Sequence, residues 1–142
     1  MKINTVHLAQ DWIRRFVKQG DLCIDATAGR GNDTAFLCEV VGKEGKVIAF
    51  DIQEQAVANT RKRLEESGVS KQAEVLLESH TNMSRYAEPD SVSCIVFNFG
   101  YLKAIGPFVF RPYSNNPLAS AASFPIIILM FGISCNIAKS YI

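Results

Sequence analysis

The chain has 142 residues, 48% of them hydrophobic and 20% charged, with a formal net charge of +1. That length suits one domain with a core of its own, the composition excludes a disordered or fibrous chain, and the near-zero charge excludes the strongly basic footprint of a general nucleic-acid binder. Charge is unevenly placed: all 14 acidic residues lie in positions 1–102, whereas positions 103–142 carry only Lys103, Arg111 and Lys139. Such a break marks a boundary, so residues 1–102 are expected to form the domain and 103–142 an atypical apolar tail.

Val6, Ala9, Ile13, Phe16 and Val17 recur at spacings of three and four, predicting a first helix with Thr5 as its cap and Gly20 as its stop. His7 falls on this helix and reads as a surface residue. Residues 21–26 read as a buried strand. Phe36, Leu37, Val40 and Val41 form a helical stripe ending near Gly42 or Gly45, and Lys46 to Asp51 is a second buried strand. Val57, Thr60 and Leu64 carry a third helix to Gly68, with Arg61-Lys62-Arg63 on its solvated face. Ala73 to Leu77 and Val92 to Asn98 read as strands three and four, joined through a short turn or helix at 80–87. Strands alternating with helices predict an α/β, Rossmann-like, doubly wound and mostly parallel sheet.

Beyond Tyr101, Gly106-Pro107, Pro112, Asn115-Asn116-Pro117 and Pro125 break any long element. Ala121 to Ile137 is the most apolar run. It falls short of the roughly 20 residues that span a bilayer and contains Pro125, Ser134 and Asn136, so a membrane span is disfavoured. A buried segment, or one that never packs well, remains as the reading. Cys23, Cys38, Cys94 and Cys135 form no C-x-x-C pair and read as reduced thiols, with no metal site expected. The first residues lack the apolar stretch of a signal peptide, and the expected location is the cytoplasm.

Chemistry concentrates in Asp25-Ala26-Thr27-Ala28-Gly29-Arg30-Gly31-Asn32-Asp33-Thr34 and in Asp51. Asp51 ends the second strand 20 residues after Gly31, the spacing at which a βαβ unit sets a carboxylate beside the ribose of a nucleotide. A dinucleotide fold would want a third glycine where Thr34 stands. S-adenosyl-L-methionine (SAM) has no pyrophosphate and needs no such glycine, so it is the expected cofactor over NAD. Asp25 could act directly or through water on its methionyl end, and Gln53 could reach the ribose or cap the next helix. Ser79 and His80, just past strand three, could flank the adenine. Asn98 and Tyr101, at the end of strand four, are similar to the N-P-P-Y arrangement of amine-directed methyltransferases. An Asn carbonyl can accept an amine N–H and aim the nitrogen lone pair, and Tyr101 can stack on a base.

Together, Asp25–Thr34, Phe50-Asp51-Ile52-Gln53, Ser79-His80 and Asn98-Phe-Gly-Tyr-Leu102 resemble the YtqB/MnmM-like SAM-dependent RNA methyltransferases, long labelled rRNA methylases. The resemblance covers about residues 1–102. It implies a class I methyltransferase fold and methylation of the aminomethyl group on a wobble 2-thiouridine of tRNA, with rRNA as the alternative substrate. It further implies that Thr27, Gly29, Gly31, Asn32, Asp33 and Thr34 form the cofactor loop, with Asp51 and Gln53 on the ribose and Ser79-His80 on the adenine side. From Lys103 onward the chain departs from the family and looks like an out-of-frame or rearranged end. The sheet is therefore expected to be incomplete beside strand four, and turnover impaired. The competing reading is a non-catalytic SAM-binding module whose apolar tail docks a partner.

Overall fold

The computed structural model describes residues 5–98, 108–110 and 126–130. Among them, in chain order, are helix α1 (Thr5–Phe16), strand β1 (Leu22–Asp25), α2 (Asn32–Val41), β2 (Lys46–Asp51), α3 (Glu54–Glu66), β3 (Ala73–Leu77), β4 (Val92–Asn98), β5 (Phe108–Phe110) and β6 (Ile126–Met130). Two 3-10 turns, Ser70–Gln72 and His80–Arg85, flank β3.

The strands lie in the order β3-β2-β1-β4-β6-β5. β1 pairs in parallel with both β2 and β4, and β2 in parallel with β3. Two segments of the C-terminal stretch extend the same sheet: β6 runs parallel to β4, from Cys94↔Ile126 to Asn98↔Met130, and β5 lies antiparallel on β6. The expectation of an open edge beside β4 is corrected here. An uninterrupted Ile-Ile-Ile-Leu-Met run has the composition of a parallel strand covered on both faces, and it supplies β4 with a hydrogen-bonding neighbour.

One core joins Ala9 and Ile13 of α1, Val17 just past its end, Leu37, Cys38 and Val41 of α2, and Val57 and Leu64 of α3 to Cys23, Val47, Ala49, Val75, Cys94 and Val96 of the sheet. The three helices thus share one face. On the other, Ile24, Ile48 and Phe50 meet Met83, Tyr86 and Ala87 of the β3–β4 connection. Handedness accounts for this division. Crossovers from β1 to β2 to β3 step one way across the sheet, and the connection to β4 steps back, so a right-handed path must use the opposite face. The path of the chain across the sheet thus reverses between β1 and β4, and such a switch point is where open α/β sheets bind ligands, in a crevice outside the carboxyl ends of the strands.

The α1 stripe is narrower than the periodicity predicts. Ala9, Ile13 and Val17 are buried, but Val6 and Phe16 are 42% and 48% exposed, because a spacing of four follows the line of contact while its flanks point outward. Phe16 stacks on Trp12 instead, at 5.4 Å. The helix also ends at Phe16, four residues before Gly20, whose φ of +90° makes the turn into β1. Cys23, Cys38 and Cys94 are buried free thiols, and Cys135 lies outside the described residues. No helix among the described residues is long and apolar enough to cross a membrane.

Candidate active site

The chemistry-bearing residues gather at the carboxyl ends of β1, β2 and β4. Asp25, the last residue of β1, is fully buried. Its Oδ1 accepts from the Thr27 backbone N–H at 3.0 Å and its Oδ2 from the Thr34 hydroxyl at 2.6 Å. Both oxygens thus fasten the loop between β1 and α2 from beneath, and no exposed edge remains for the direct cofactor contact its sequence position suggests. Burial raises its pKa to about 7, against the lowering effect of the Thr34 hydrogen bond.

The loop turns on Gly31, which precedes α2 with φ at +79°. A Cβ there would lie 2.8 Å from the Thr60 Cα and 3.2 Å from its Cγ2. Thr60, buried on α3, also donates through its hydroxyl to the Gly29 carbonyl at 3.3 Å. Gly31→Ala combines a left-handed backbone with a backbone clash, and is expected to lower unfolding stability by about 2–4 kcal/mol. Urea denaturation measures this, and a loss under about 0.5 kcal/mol, the level of an ordinary surface change, contradicts the close packing of loop on α3. At Gly29, by contrast, the nearest neighbour of an added Cβ is the Thr27 carbonyl at 3.8 Å, so that side of the loop is open.

Asp51 ends β2 half-buried. Its Oδ2 accepts from the Gly29 N–H and its Oδ1 from the Gln53 N–H, each at 3.0 Å. Gln53 occupies the cap position of α3 without making a side-chain cap bond, so the capping alternative is not realised. Ile52 and Leu77, at the ends of β2 and β3, are 73% and 51% exposed. Next to them the Glu78 N–H donates to the Asp51 carbonyl at 2.9 Å, and the Glu78 carboxylate accepts from Asn82 at 2.8 Å and from the Tyr86 hydroxyl. This clasp orders the turn that carries Ser79 and His80. Ser79 caps that turn, accepting from the Thr81 N–H at 3.3 Å, and the His80 ring meets Phe97 of β4 edge-on at 5.4 Å.

Asn98 closes the crevice. Its backbone N–H donates to the Thr27 hydroxyl at 2.6 Å, and its side-chain Nδ2 to Asp33 Oδ2 at 3.0 Å. Burial raises the Asp33 pKa, and the Asn98 bond works against that rise. Asn32 is exposed in the first turn of α2. Tyr101 lies outside the described residues. Arg61 and Arg63 prove to be props as well as a solvated face: they donate to the Val75 and Arg30 carbonyls at 2.9 and 3.1 Å. Among the described residues no cluster of three His, Cys, Asp or Glu side chains could hold a metal ion.

Thr60 and Glu78 are the functional supports that sequence reasoning missed. Thr60 left a trace, as a polar residue on the apolar stripe between Val57 and Leu64. Glu78 left none, because its partners Asn82 and Tyr86 acquire meaning only once the turn is folded.

Comparison with known proteins agrees with this geometry. A family model described as "Putative rRNA methylase" matches residues 47–105. The chain is 36% identical over 95 residues to the chloroplastic tRNA (mnm(5)s(2)U34)-methyltransferase of Arabidopsis thaliana, covering 61% of this chain and 35% of that one. Among solved structures it is similar to an rRNA methylase from Streptococcus thermophilus, with 36% identity and a TM-score of 0.62 over 71% of this chain and 58% of that one. It is also similar to a "putative methyltransferase" from Streptococcus mutans solved with SAH, with 34% identity and a TM-score of 0.62 over 85% of this chain and 58% of that one. The chain thus spans about a third of the curated relative's length and over half of the solved ones. The sheet and its flanking helices are the Rossmann-like fold of the class I methyltransferases.

Proposed function

We propose that this chain, which carries the fold of the SAM-dependent methyltransferases and is similar to RNA methylases, binds SAM at the switch point and methylates an amine on RNA. The observation that carries this reading is that the β1–α2 loop is bonded to Asp51 through Gly29 and to Asn98 through Thr27 at the switch point, with open space beside Gly29. The donor set fits the cofactor. Asp51 retains acceptor capacity for two ribose hydroxyls beyond its two backbone partners, exposed Ile52 and Leu77 offer an apolar seat for adenine, and carboxylates at this end suit a cation. Asp25, Thr27 and Thr34 set the shape of the loop, and Ser79 and His80 border the adenine side.

When bound, SAM supplies an electrophilic methyl group on a sulfonium. The chain's own contribution is to orient the acceptor. The Asn98 carboxamide accepts an N–H of the incoming amine and turns its lone pair toward that methyl, and Tyr101 stacks on the base. Transfer would require a neutral amine: the nitrogen would take the methyl as its bond to the sulfonium sulfur breaks and leaves a neutral thioether, and the extra proton on the methylated amine would pass to solvent. Orientation of this kind is worth several kcal/mol of barrier. The wobble aminomethyl-uridine of tRNA is the acceptor best supported, through the similarity to the plant tRNA enzyme.

The test is transfer of labelled methyl from SAM to bulk tRNA lacking the modification, with rRNA alongside. Label in tRNA that maps to the wobble nucleoside is the expected result. Label in rRNA alone would move the substrate, and saturable SAM binding without transfer to either would favour the non-catalytic module.

A further inference from the structure

We propose that Asp33 is a positioning residue whose carboxylate holds the Asn98 carboxamide in the orientation an acceptor amine requires. The sequence places Asp33 in the cofactor loop, and the family resemblance implies a cofactor contact. The structure instead directs its Oδ2 across the crevice to Asn98 Nδ2 at 3.0 Å, linking the first turn of α2 to the end of β4. This proposal rests on the reading that the site methylates an amine beside Asn98.

The chemical reason lies in the asparagine amide. Its two ends are nearly equal in shape and opposite in function, one donating and one accepting. A flipped carboxamide would turn N–H groups toward the amine's own N–H groups and misdirect its lone pair. A carboxylate only accepts, so Asp33 can bond the nitrogen end alone and thereby selects the orientation. The bond is charge-assisted, and the position of Asp33 in the first turn of α2 favours the ionised form. The Asn98 backbone is held by the Thr27 hydroxyl at 2.6 Å, so the Asp33 bond bears on the side-chain rotation. Partial burial of Asp33 opposes its ionisation by raising its pKa, and the Asn98 bond works against that rise.

Asp33→Ala and Asp33→Ser, the second keeping a helix-capping hydroxyl too short to reach Asn98, separate this role from cofactor contact in the full chain. The readouts are SAM affinity by calorimetry, kcat and KM with tRNA lacking the modification, and the Asn98 side-chain amide signals by NMR, assigned through their loss in Asn98→Asp. Both variants are expected to lower kcat roughly 10- to 100-fold, as for a displaced positioning group, with SAM affinity unchanged and the Asn98 amide signals shifted. Asp33→Asn keeps an accepting oxygen but adds a donor that can bond the flipped carboxamide, so it is expected to recover only part of the rate. A parallel loss of SAM affinity with no recovery in Asp33→Asn would overturn the proposal in favour of cofactor contact, as would Asn98 signals unmoved in both variants. If the unaltered chain binds SAM yet methylates neither tRNA nor rRNA, the functional reading fails and the proposal fails with it. If the unaltered chain transfers methyl and Asp33→Ala does so equally fast, the proposal alone is overturned.

Discussion

Asp51→Ala is expected to weaken SAM binding by about 100-fold or more, measured by calorimetry on the purified chain. Two ribose hydroxyls donating to an ionised carboxylate contribute about 1.5–3 kcal/mol each, and about 1.4 kcal/mol corresponds to a tenfold change in affinity. The substitution also releases the Gly29 and Gln53 N–H groups that the carboxylate now gathers, so the loop loses an anchor together with the ligand contact. Asp51→Asn retains one accepting oxygen and is expected to fall between the two. An affinity in Asp51→Ala within about threefold of the unaltered chain, under 1 kcal/mol, would remove Asp51 from the ribose site and leave it a loop anchor only.

The second large effect is on stability against pH. Asp25 is completely buried, and burial holds its carboxyl near pH 7 instead of 3.8. A carboxyl with a raised pKa binds more protons folded than unfolded between those two values, so stability falls as pH rises through that window. Below about pH 4 both states are protonated and the cost of burying the charge is absent; above about pH 7 that cost is fully in place and reaches about 4 kcal/mol at most. Asp33, also raised by burial, contributes with the same sign. Asp25→Asn is therefore expected to resist urea better than the unaltered chain at pH 8, and the difference should shrink toward pH 5. Stability that instead rises between pH 5 and 8, and does so less in Asp25→Asn, would mean that the Thr27 and Thr34 hydrogen bonds outweigh burial and that Asp25 is ionised throughout.

The local alphabet of the fold is legible in the sequence because it is set by neighbours a few residues apart. Strands Lys46–Asp51, Ala73–Leu77 and Val92–Asn98 lie where their apolar runs predict, since the strands of a parallel sheet read as largely apolar runs. The Gly31-to-Asp51 spacing places Asp51 at the loop because a helix-and-strand crossover of that length returns the chain to the neighbouring strand's carboxyl end. The narrow burial on α1 was not legible, because Val6 and Phe16 satisfy the same periodicity as Ala9 and Ile13, and only the width of the contact separates them.

What the sequence determined by itself is the class of the chain: a parallel α/β sheet, a glycine loop without the third glycine of a dinucleotide site, and an acid at ribose distance. These follow from periodicity and spacing along one stretch of backbone. Which carboxylate does what was decided only by the tertiary structure. Asp25, Asp33 and Asp51 are alike as letters. Folding buries Asp25 under two hydrogen bonds, turns Asp33 across the crevice to Asn98, and leaves Asp51 half-open beside the loop. Their partners stand between 2 and 65 residues away in the chain, and a carboxylate's role depends on desolvation and on the donors that meet it, quantities that exist only once the strands are side by side.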